Sequence, residues 1–399
     1  MRSVPHLLVS GHQAEPELEL ATSLAYVASK RKKVGFIRRR PAEELEFIVK
    51  VGWPIRTLSL DEKKFLFDPL GLFKIQLKIE AIEDIREAMQ QISGPIFSMD
   101  EFKEKLEEAL KLIHEPKLAQ EVNGFVPPSI VEVFEEIVGH EEIPSIELRA
   151  RISEEEFLEQ ISGALSYSSQ LKSEIAEISS YINSLTKHKG SWEGELKEKE
   201  EEIRRTYETR IEDAKRYLGQ RAEPEVEKLR AEMEKEIEDI RKRILEPLNA
   251  LASLVEKLEE AKSRREIFLN ALEWEVLGEG LEVNIPFMIA SLIGKEGRRF
   301  ITIPPSNLSK VGIGGKLKKA FGAIVVPIET RSPIYEEMRS LLEEELSKNV
   351  GFSSYILEIG SRADLIQKYN DLFMKGVTRL RDMEVLDEDD STEVMSMTL

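Results

Sequence analysis

Residues 196–218 (LKEKEEEIRRTYETRIEDAKRYL) and 226–248 (VEKLRAEMEKEIEDIRKRILEPL) carry the clearest structural signal in the sequence. In each stretch apolar residues recur at steps of three and four, the spacing that places side chains on one face of an α-helix. The repeat is about eleven residues in three turns, which favours a nearly straight or slightly right-handed helix pair. The two stretches therefore predict two long helices that share an apolar seam.

The segment between them, GQRAEP (residues 219–224), predicts a turn, because proline is tolerated in the first turn of a new helix. If the two helices run antiparallel, seam residues face each other in a constant register, and in that register Ile211 lies opposite Met233. We predict an antiparallel coiled-coil hairpin over residues 153–275, with its tip near 219–225.

Some seam and helix positions depart from the pattern. Lys189 and Arg265 fall on the seam, where we expect long aliphatic stems to cover it and charged ends to reach water. Gly190, Gly194 and Pro247 weaken the two helices at nearly the same height, at about 1 kcal/mol per glycine and about 3 kcal/mol for proline. Two interpretations stay open for these three residues, a tolerated kink or a functional hinge.

The flanking sequences predict a mixed α and β structure. Period-two alternation predicts strands over residues 34–80 and a hairpin over 282–305. The heptapeptide KKFLFDP (63–69) resembles RRFITIPP (298–305), which suggests a duplicated hairpin unit. The remaining predicted elements are helices over 82–92, 99–113, 333–348 and 361–375, and a buried strand over 320–329.

Together these patterns predict an α+β fold in which the N- and C-terminal segments form one head and the hairpin is inserted between them. The head would contain two β-hairpin units plus helices. The expected division is a basic N-terminal segment (1–33), an N-terminal half of the head (34–150), the coiled-coil hairpin (153–275), a C-terminal half of the head (278–383) and an acidic disordered tail (384–399).

Two resemblances accompany this architecture. Joined terminal segments on an antiparallel coil resemble the plan of structural-maintenance-of-chromosomes proteins, although the nucleotide-binding motifs of that family are missing here. The segment KVGWPIRTLSLDEKKFLFDPLGL (50–72) resembles a segment of uncharacterised archaeal coiled-coil proteins. Neither resemblance carries a functional residue over to this chain.

Composition excludes several classes of protein. The chain has 399 residues, a formal net charge of −18 and no cysteine, so disulfides and thiol chemistry are excluded. No apolar run approaches the length of a membrane-spanning helix, and the first residues do not predict a signal peptide, so we expect a cytoplasmic protein without membrane insertion. Charged residues make up 33% of the chain, which is typical of heat-adapted proteins or results from one long charged helix. Together with the resemblance to archaeal proteins, this composition suggests an archaeal thermophile.

Two basic segments stand out against this acidic background. The run SKRKKVGFIRRRP concentrates cations in residues 30–40, and a glycine-rich loop over 310–319 carries four lysines. That loop departs from a Walker loop, since Leu317 stands where the magnesium-binding serine or threonine belongs. Such cations could bind phosphates, or could pair with the chain's own acids, including Asp387–Asp390. The candidate polyanion-binding residues are Lys30, Arg31, Lys32, Lys33, Arg38, Arg39, Arg40, Lys310, Lys316, Lys318 and Lys319.

Catalytic motifs are missing from the sequence. We find no nucleophile elbow, no paired histidine metal motif and no dinucleotide fingerprint, so we predict no catalytic residue, cofactor or metal. A long arm with an apolar seam favours a structural scaffold that tethers protein partners or self-associates through its coiled coil. The alternative is a nucleic-acid-associated protein that uses segments 30–40 and 310–319.

Overall fold

The computed structural model of the chain describes residues 2–34, 40–93, 99–137, 141–274, 281–309 and 323–398, and for Val34 and Arg40 only the backbone. The fold is mixed α and β, as predicted. The chain divides into two compact units. The first contains Met1–Lys74, Val122–Gln160 and Trp274–Leu399, and the second contains Ile75–Glu121 and Ile161–Glu273.

The helices of the described residues, in chain order, are α1 (Pro16–Lys30), α2 (Ile82–Ile92), α3 (Met99–Leu112), α4 (Val131–Phe134), α5 (Glu154–Leu218), α6 (Glu223–Glu273), α7 (Pro333–Lys348), α8 (Val350–Ala363), α9 (Leu365–Asp382) and α10 (Glu388–Met395). The strands are β1 (Arg2–Ser3), β2 (Leu7–Val9), β3 (His12–Gln13), β4 (Lys33–Val34), β5 (Arg40–Pro41), β6 (Glu43–Leu60), β7 (Lys63–Phe67), β8 (Lys74–Ile79), β9 (Lys117–Asn123), β10 (Ile146–Glu147), β11 (Glu282–Gly294), β12 (Gly297–Ile303), β13 (Ser306–Leu308) and β14 (Ile328–Thr330).

The first unit is built on two long antiparallel strands, β6 and β11, which place Trp53 opposite Ile285. Each long strand continues into its own hairpin partner, β7 for β6 and β12 for β11. Each also pairs with a two-residue parallel strand, β10 on β6 and β1 on β11. Both predicted hairpins are therefore present, and their first strands pair with each other.

Side chains of the central strands alternate between two apolar cores, as strand geometry requires. Residues such as Val49, Trp53 and Phe287 face a core shared with α7 and α8. Ile48 and Met288 face a second core shared with α1 and α9. The sheet of the first unit thus has helices on both faces, which buries both of its sides.

The second unit contains α2, α3, most of the paired strands β8 and β9, and the two long helices from Ile161 onward. An apolar cluster joins α2 and α3 to α5 and α6 through residues such as Leu185 and Leu251. A second cluster joins only α5, the turn and α6, with Ile211 and Val226 among its buried residues. These contacts are consistent with the predicted helical hairpin.

The structure differs from the sequence expectations at several places. Residues 75–121 group with the long helices, whereas the sequence assigned all of 34–150 to the head. Residues 323–327 form no strand, and strand β14 begins only at Ile328. The segment 384–399, predicted to be disordered, contains helix α10, whose N-terminus is capped when the Asp387 side chain accepts a hydrogen bond from the Asp390 amide. Burial of Val394 holds that helix in place.

Candidate interaction surfaces

The described part of the predicted basic run, residues 30–33, lies at and just after the end of α1. Most of its charge is already paired within the chain. Lys32 Nζ lies 2.5 Å from Glu296 Oε2, and Lys33 Nζ lies 2.8 Å from Glu393 Oε2 in α10. Arg31 Nε donates a 2.8 Å hydrogen bond to the Glu43 carbonyl. These contacts favour the interpretation that the run pairs with the chain's own acids. The acids are Glu296 and Glu393, whereas the sequence analysis named Asp387–Asp390.

Lys30 differs from its neighbours. Its ammonium lies 5.1 Å from the centre of the Tyr26 ring, and among the described residues it forms no ion pair. The side chains of the other predicted cations cannot be compared with Lys30. Only the backbone of Arg40, in β5, is described, and the residues outside the described ranges are Arg38, Arg39, Lys310, Lys316, Lys318 and Lys319. The prediction that the two basic segments act together therefore lies outside the described residues.

A groove of about 760 Å³ in the first unit contains Lys30 and three arginines that the sequence analysis did not single out. Its walls come from the end of α1, from five consecutive residues of β12, and from α7 and α8. We call it the basic groove. It is lined by Tyr26, Lys30, Arg298, Arg299, Phe300, Ile301, Thr302, Arg339, Glu343, Leu346, Ser347, Ser353 and Leu357.

The two arginines of β12 are held by paired carboxylates. Arg298 Nε and Nη2 lie 2.6 and 2.7 Å from the Glu46 carboxylate, and Arg299 Nε and Nη2 lie 2.6 and 2.7 Å from that of Glu43. These hydrogen bonds lower the pKa of both glutamates, so all four groups stay ionised. Side-on pairing through Nε and Nη2 leaves the Nη1 donors of each arginine for another partner.

The sequence contains only a weak indication of the basic groove. Arg298 and Arg299 follow Gly297, the first residue of strand β12, and we interpreted them as part of a repeated hairpin motif. Neither residue is near Lys30 or Arg339 in sequence, so no local pattern predicts that they line one groove. The pairing of β12 with β11 and the packing of α7 on the same sheet bring them together.

Charged pairs cross between the two long helices and show their relative direction. Glu174 pairs with Arg265, and Glu200 pairs with Arg241 through contacts of 2.5 and 3.0 Å. As position rises along α5, the partner's position falls along α6, which is the order of an antiparallel pair. Along the helices, buried residues such as Leu185 and Leu251 lie between these two pairs, and the cluster that contains Ile211 lies beyond the second pair.

Arg265 does not extend to water as the sequence suggested. Its side chain is fully buried, and Nε donates a 2.7 Å hydrogen bond to Glu174 Oε2. Nη1 donates to the Ala261 carbonyl at 2.9 Å and Nη2 to the Glu80 carbonyl at 2.8 Å. Because acceptors surround the guanidinium inside the second unit, burial does not leave its charge unpaired.

The three predicted hinge residues interrupt neither helix. Gly190 and Gly194 lie on exposed faces within α5, with open space where a Cβ would stand, and Pro247 is buried within α6. At the same height α3 contacts both helices, since Phe102 packs on Trp192 and Lys103 Nζ lies 2.5 Å from Glu246 Oε2. The apolar cluster beyond this height is made from α5, α6 and their connecting turn.

The turn between the long helices carries an exposed apolar pair. Gly219 takes a left-handed backbone conformation with φ of +54°, which reverses the chain after α5. Immediately before it, Tyr217 is 82% exposed and Leu218 is 48% exposed. Their side chains contribute little to the packing of the second unit and remain open to a partner.

A buried charged cluster lies in the first unit. Lys50 Nζ lies 2.8 Å from Glu19 Oε1 and donates a 3.0 Å hydrogen bond to the Ile143 carbonyl. His6 Nε2 donates to the Ile303 carbonyl at 3.1 Å, while its Nδ1 lies 3.8 Å from Glu19. Burial, and then the charge of Lys50, lower the pKa of His6 to about 3.

The chemistry of this cluster is limited by its burial. His6, Glu19 and Lys50 are each at most 3% exposed, so a substrate does not reach them in this conformation. Within the described ranges no group of three or more histidine or acidic side chains has a geometry that could hold a metal ion. No helix in the same ranges is long and apolar enough to cross a membrane.

Comparison with protein-family models, with curated proteins and with solved structures gives no match. The functional argument therefore rests on the geometry of this chain. Two surfaces carry that argument, the exposed turn at the end of the long helices and the basic groove at strand β12.

Proposed function

We propose that the protein is a non-enzymatic scaffold whose long helices form an antiparallel coiled-coil arm that tethers partners or a second copy of the chain. The single observation that carries the proposal is the exposure of Tyr217 and Leu218 at the turn of the arm. Exposure of large apolar side chains to water is unfavourable, and an exposed cluster of them is typical of an interaction site.

The construction of the arm supports the same function. Helix α5 has 65 residues and α6 has 51, so at 1.5 Å per residue α5 is about 100 Å long. Beyond the contact of Phe102 with Trp192, the two helices bury an apolar seam against each other. A helix pair of this length suits a protein that spans a distance between partners better than it suits a catalytic site.

The weak points of the arm fit a hinge. Gly190, Gly194 and Pro247 lie at the height where α3 contacts the two helices. Below that height two further helices, α2 and α3, pack against the pair. A bend placed at the limit of this packing would move the outer half of the arm without disturbing the supported half, and we include such a hinge in the proposal.

The test compares the turn with another exposed apolar site on the same helices. Tyr217→Ser combined with Leu218→Ser removes the apolar turn, and Ile267→Ser is the control, since Ile267 is 66% exposed on α6. Sedimentation velocity over a range of concentrations measures self-association. We expect association by the wild type and by the control, and a monomer for the double variant.

A second readout covers tethering of a different protein. A photo-crosslinking amino acid at position 217 should capture a defined partner in the cells that produce the protein, whereas the same group at position 267 should not. Monomeric behaviour of the wild type, together with equal capture at both positions, would contradict the scaffold function.

The second candidate function is association with nucleic acid through the basic segments 30–40 and 310–319. Its support is Lys30, which is free of ion pairs within the described chain and lines a groove with three arginines. Binding of single-stranded and duplex DNA at increasing salt tests it, because phosphate contacts give a steep salt dependence. Replacement of Lys30, Arg31, Lys32, Lys33, Arg38, Arg39 and Arg40 by serine should abolish any such binding.

A further inference from the structure

Strand β12 has one unpaired edge. It pairs with β11 on one side, and within the described residues no strand pairs with its other side. Gly294 pairs with Gly297 across a two-residue turn, so Gly297, Arg299 and Ile301 direct their backbone groups to β11. The alternate residues Arg298, Phe300 and Thr302 direct their amide N–H and carbonyl groups to the unpaired edge. Thr302 is 1% exposed, so Arg298 and Phe300 supply the accessible backbone groups.

The basic groove lies along this edge. All five residues from Arg298 to Thr302 line it, with Tyr26 and Lys30 of α1, Arg339 of α7 and Leu357 of α8 among the other walls. An edge strand that lies beside helices offers both a ladder of backbone donors and acceptors and pockets for side chains. This is the arrangement in which an extended peptide adds to a sheet as a further strand.

The charges that line the basic groove determine which kind of peptide it can bind. Four cationic side chains line it, and Glu343 is the acidic residue among its walls. All three arginines are paired, Arg298 with Glu46, Arg299 with Glu43 and Arg339 with Glu336. None of these glutamates is among the lining residues, and Lys30 is the lining cation without an ion pair among the described residues. A strand that enters the groove therefore meets cations on its way to the backbone edge.

We propose that the basic groove binds an extended acidic peptide of a partner protein, which adds as a strand to the free edge of β12. A second copy of β12 is a poor occupant, because it would bring another Arg298 and Arg299 into the same cationic groove. Phe300, which is only partly buried, supplies apolar contact for alternate side chains of the peptide, whose acidic side chains meet Lys30 and the arginines. The proposal does not depend on the function of the coiled-coil arm.

The test uses the full-length protein and three fluorescent peptides. The first alternates valine with glutamate, the second replaces each glutamate by lysine, and the third is the glutamate peptide with every second amide N-methylated. We expect fluorescence anisotropy to detect binding of the first peptide only, with affinity that falls as salt rises. Hydrogen–deuterium exchange should show that the bound peptide protects the amides of Arg298 and Phe300.

A matched pair of protein variants separates the backbone edge from the charge. Arg298→Ala and Arg298→Pro both remove the guanidinium, but only the proline also removes the outward amide, and proline is tolerated on a strand edge. We expect the proline variant to bind the glutamate peptide about tenfold more weakly than the alanine variant. Circular dichroism checks that both variants keep the fold of the wild type.

Three results would overturn the proposal. One is equal binding of the glutamate peptide and its N-methylated form, which would indicate a charged patch alone. Another is competition by single-stranded DNA without protection of the β12 amides. The third is a dimer in which these amides are already protected without peptide, which would identify a second copy as the occupant.

Discussion

The ring of Phe102 meets the ring of Trp192 edge-on, with centroids 4.5 Å apart and an interplanar angle of 84°. Phe102 belongs to α3, and Trp192 lies between Gly190 and Gly194 in α5. The contact thus ties α3 to the long helices at the height of the two glycines. A bend of the arm at this height would have one side fixed by α3.

This relationship predicts the effect of strengthening the helices there. Gly190→Ala combined with Gly194→Ala should stabilise the second unit by about 1 kcal/mol per residue, because each added Cβ meets open space. Distances between spin labels at Glu108→Cys and Arg221→Cys should become more narrowly distributed. The chain has no other cysteine, so labelling is specific.

Gly163→Ala is the matched control for that experiment, since Gly163 also lies in α5 with open space around its Cβ position but far from Trp192. It should stabilise the helix equally and leave the distance distribution unchanged. Distributions of equal width in all three proteins would show that the glycines are tolerated without acting as a hinge.

The register of the long helices gives a second prediction. Cysteines at positions 211 and 233 should form a disulfide within one chain, because the sequence places Ile211 opposite Met233 and both pack in one apolar cluster. Cysteines at 211 and 244 should remain reduced under the same oxidising conditions. Mobility on a denaturing gel distinguishes them, and equal crosslinking of both pairs would contradict an antiparallel register.

A third prediction concerns the buried Arg265. Arg265→Ala should lower the free energy of unfolding by about 3–5 kcal/mol, because Glu174 would keep a buried charge without its partner. Replacement of both Arg265 and Glu174 by methionine should recover most of that loss. Urea unfolding followed by circular dichroism measures both effects.

Arg205→Ala serves as the exposed control for the third prediction, since Arg205 and Glu201 are 80% and 68% exposed and lie 3.5 Å apart. Arg205→Ala should lower the free energy of unfolding by less than about 1 kcal/mol. If the double methionine variant were as unstable as Arg265→Ala, the loss would come from packing and not from an unpaired charge.

The fourth prediction is a pH dependence set by His6. Burial and the charges of Lys50 and Arg331 lower the pKa of His6 from 6.5 to about 3, so between these values the unfolded chain binds a proton that the folded chain does not. The free energy of unfolding should therefore fall as pH drops through this window. One such proton changes it by about 1.4 kcal/mol per pH unit.

His6→Gln removes this titration and keeps a side chain that can donate to the Ile303 carbonyl. The buried carboxylate of Glu19 has a raised pKa, mainly through burial, and remains in both proteins. The difference between the two stability curves therefore isolates His6. Parallel curves from pH 6.5 to 4 would show that His6 becomes protonated in the folded state.

The long helices show which parts of the fold can be predicted from local sequence patterns. Their spacing of apolar residues predicted both helices and the turn at Gly219, because helix periodicity and backbone preference are properties of neighbouring residues. The same holds for the hairpins of β6 with β7 and of β11 with β12, which alternate in sequence and close over short turns.

Contacts between distant residues were decided only by the tertiary structure. Arg265 is buried because Glu174 and the Glu80 carbonyl meet it from other segments, and α10 is ordered because Val394 is buried against the first unit. The basic groove exists because β12 follows β11 at the sheet edge while α1 and α7 pack beside it. Periodicity shows which face of an element is apolar, but the partner of that face depends on how all elements pack.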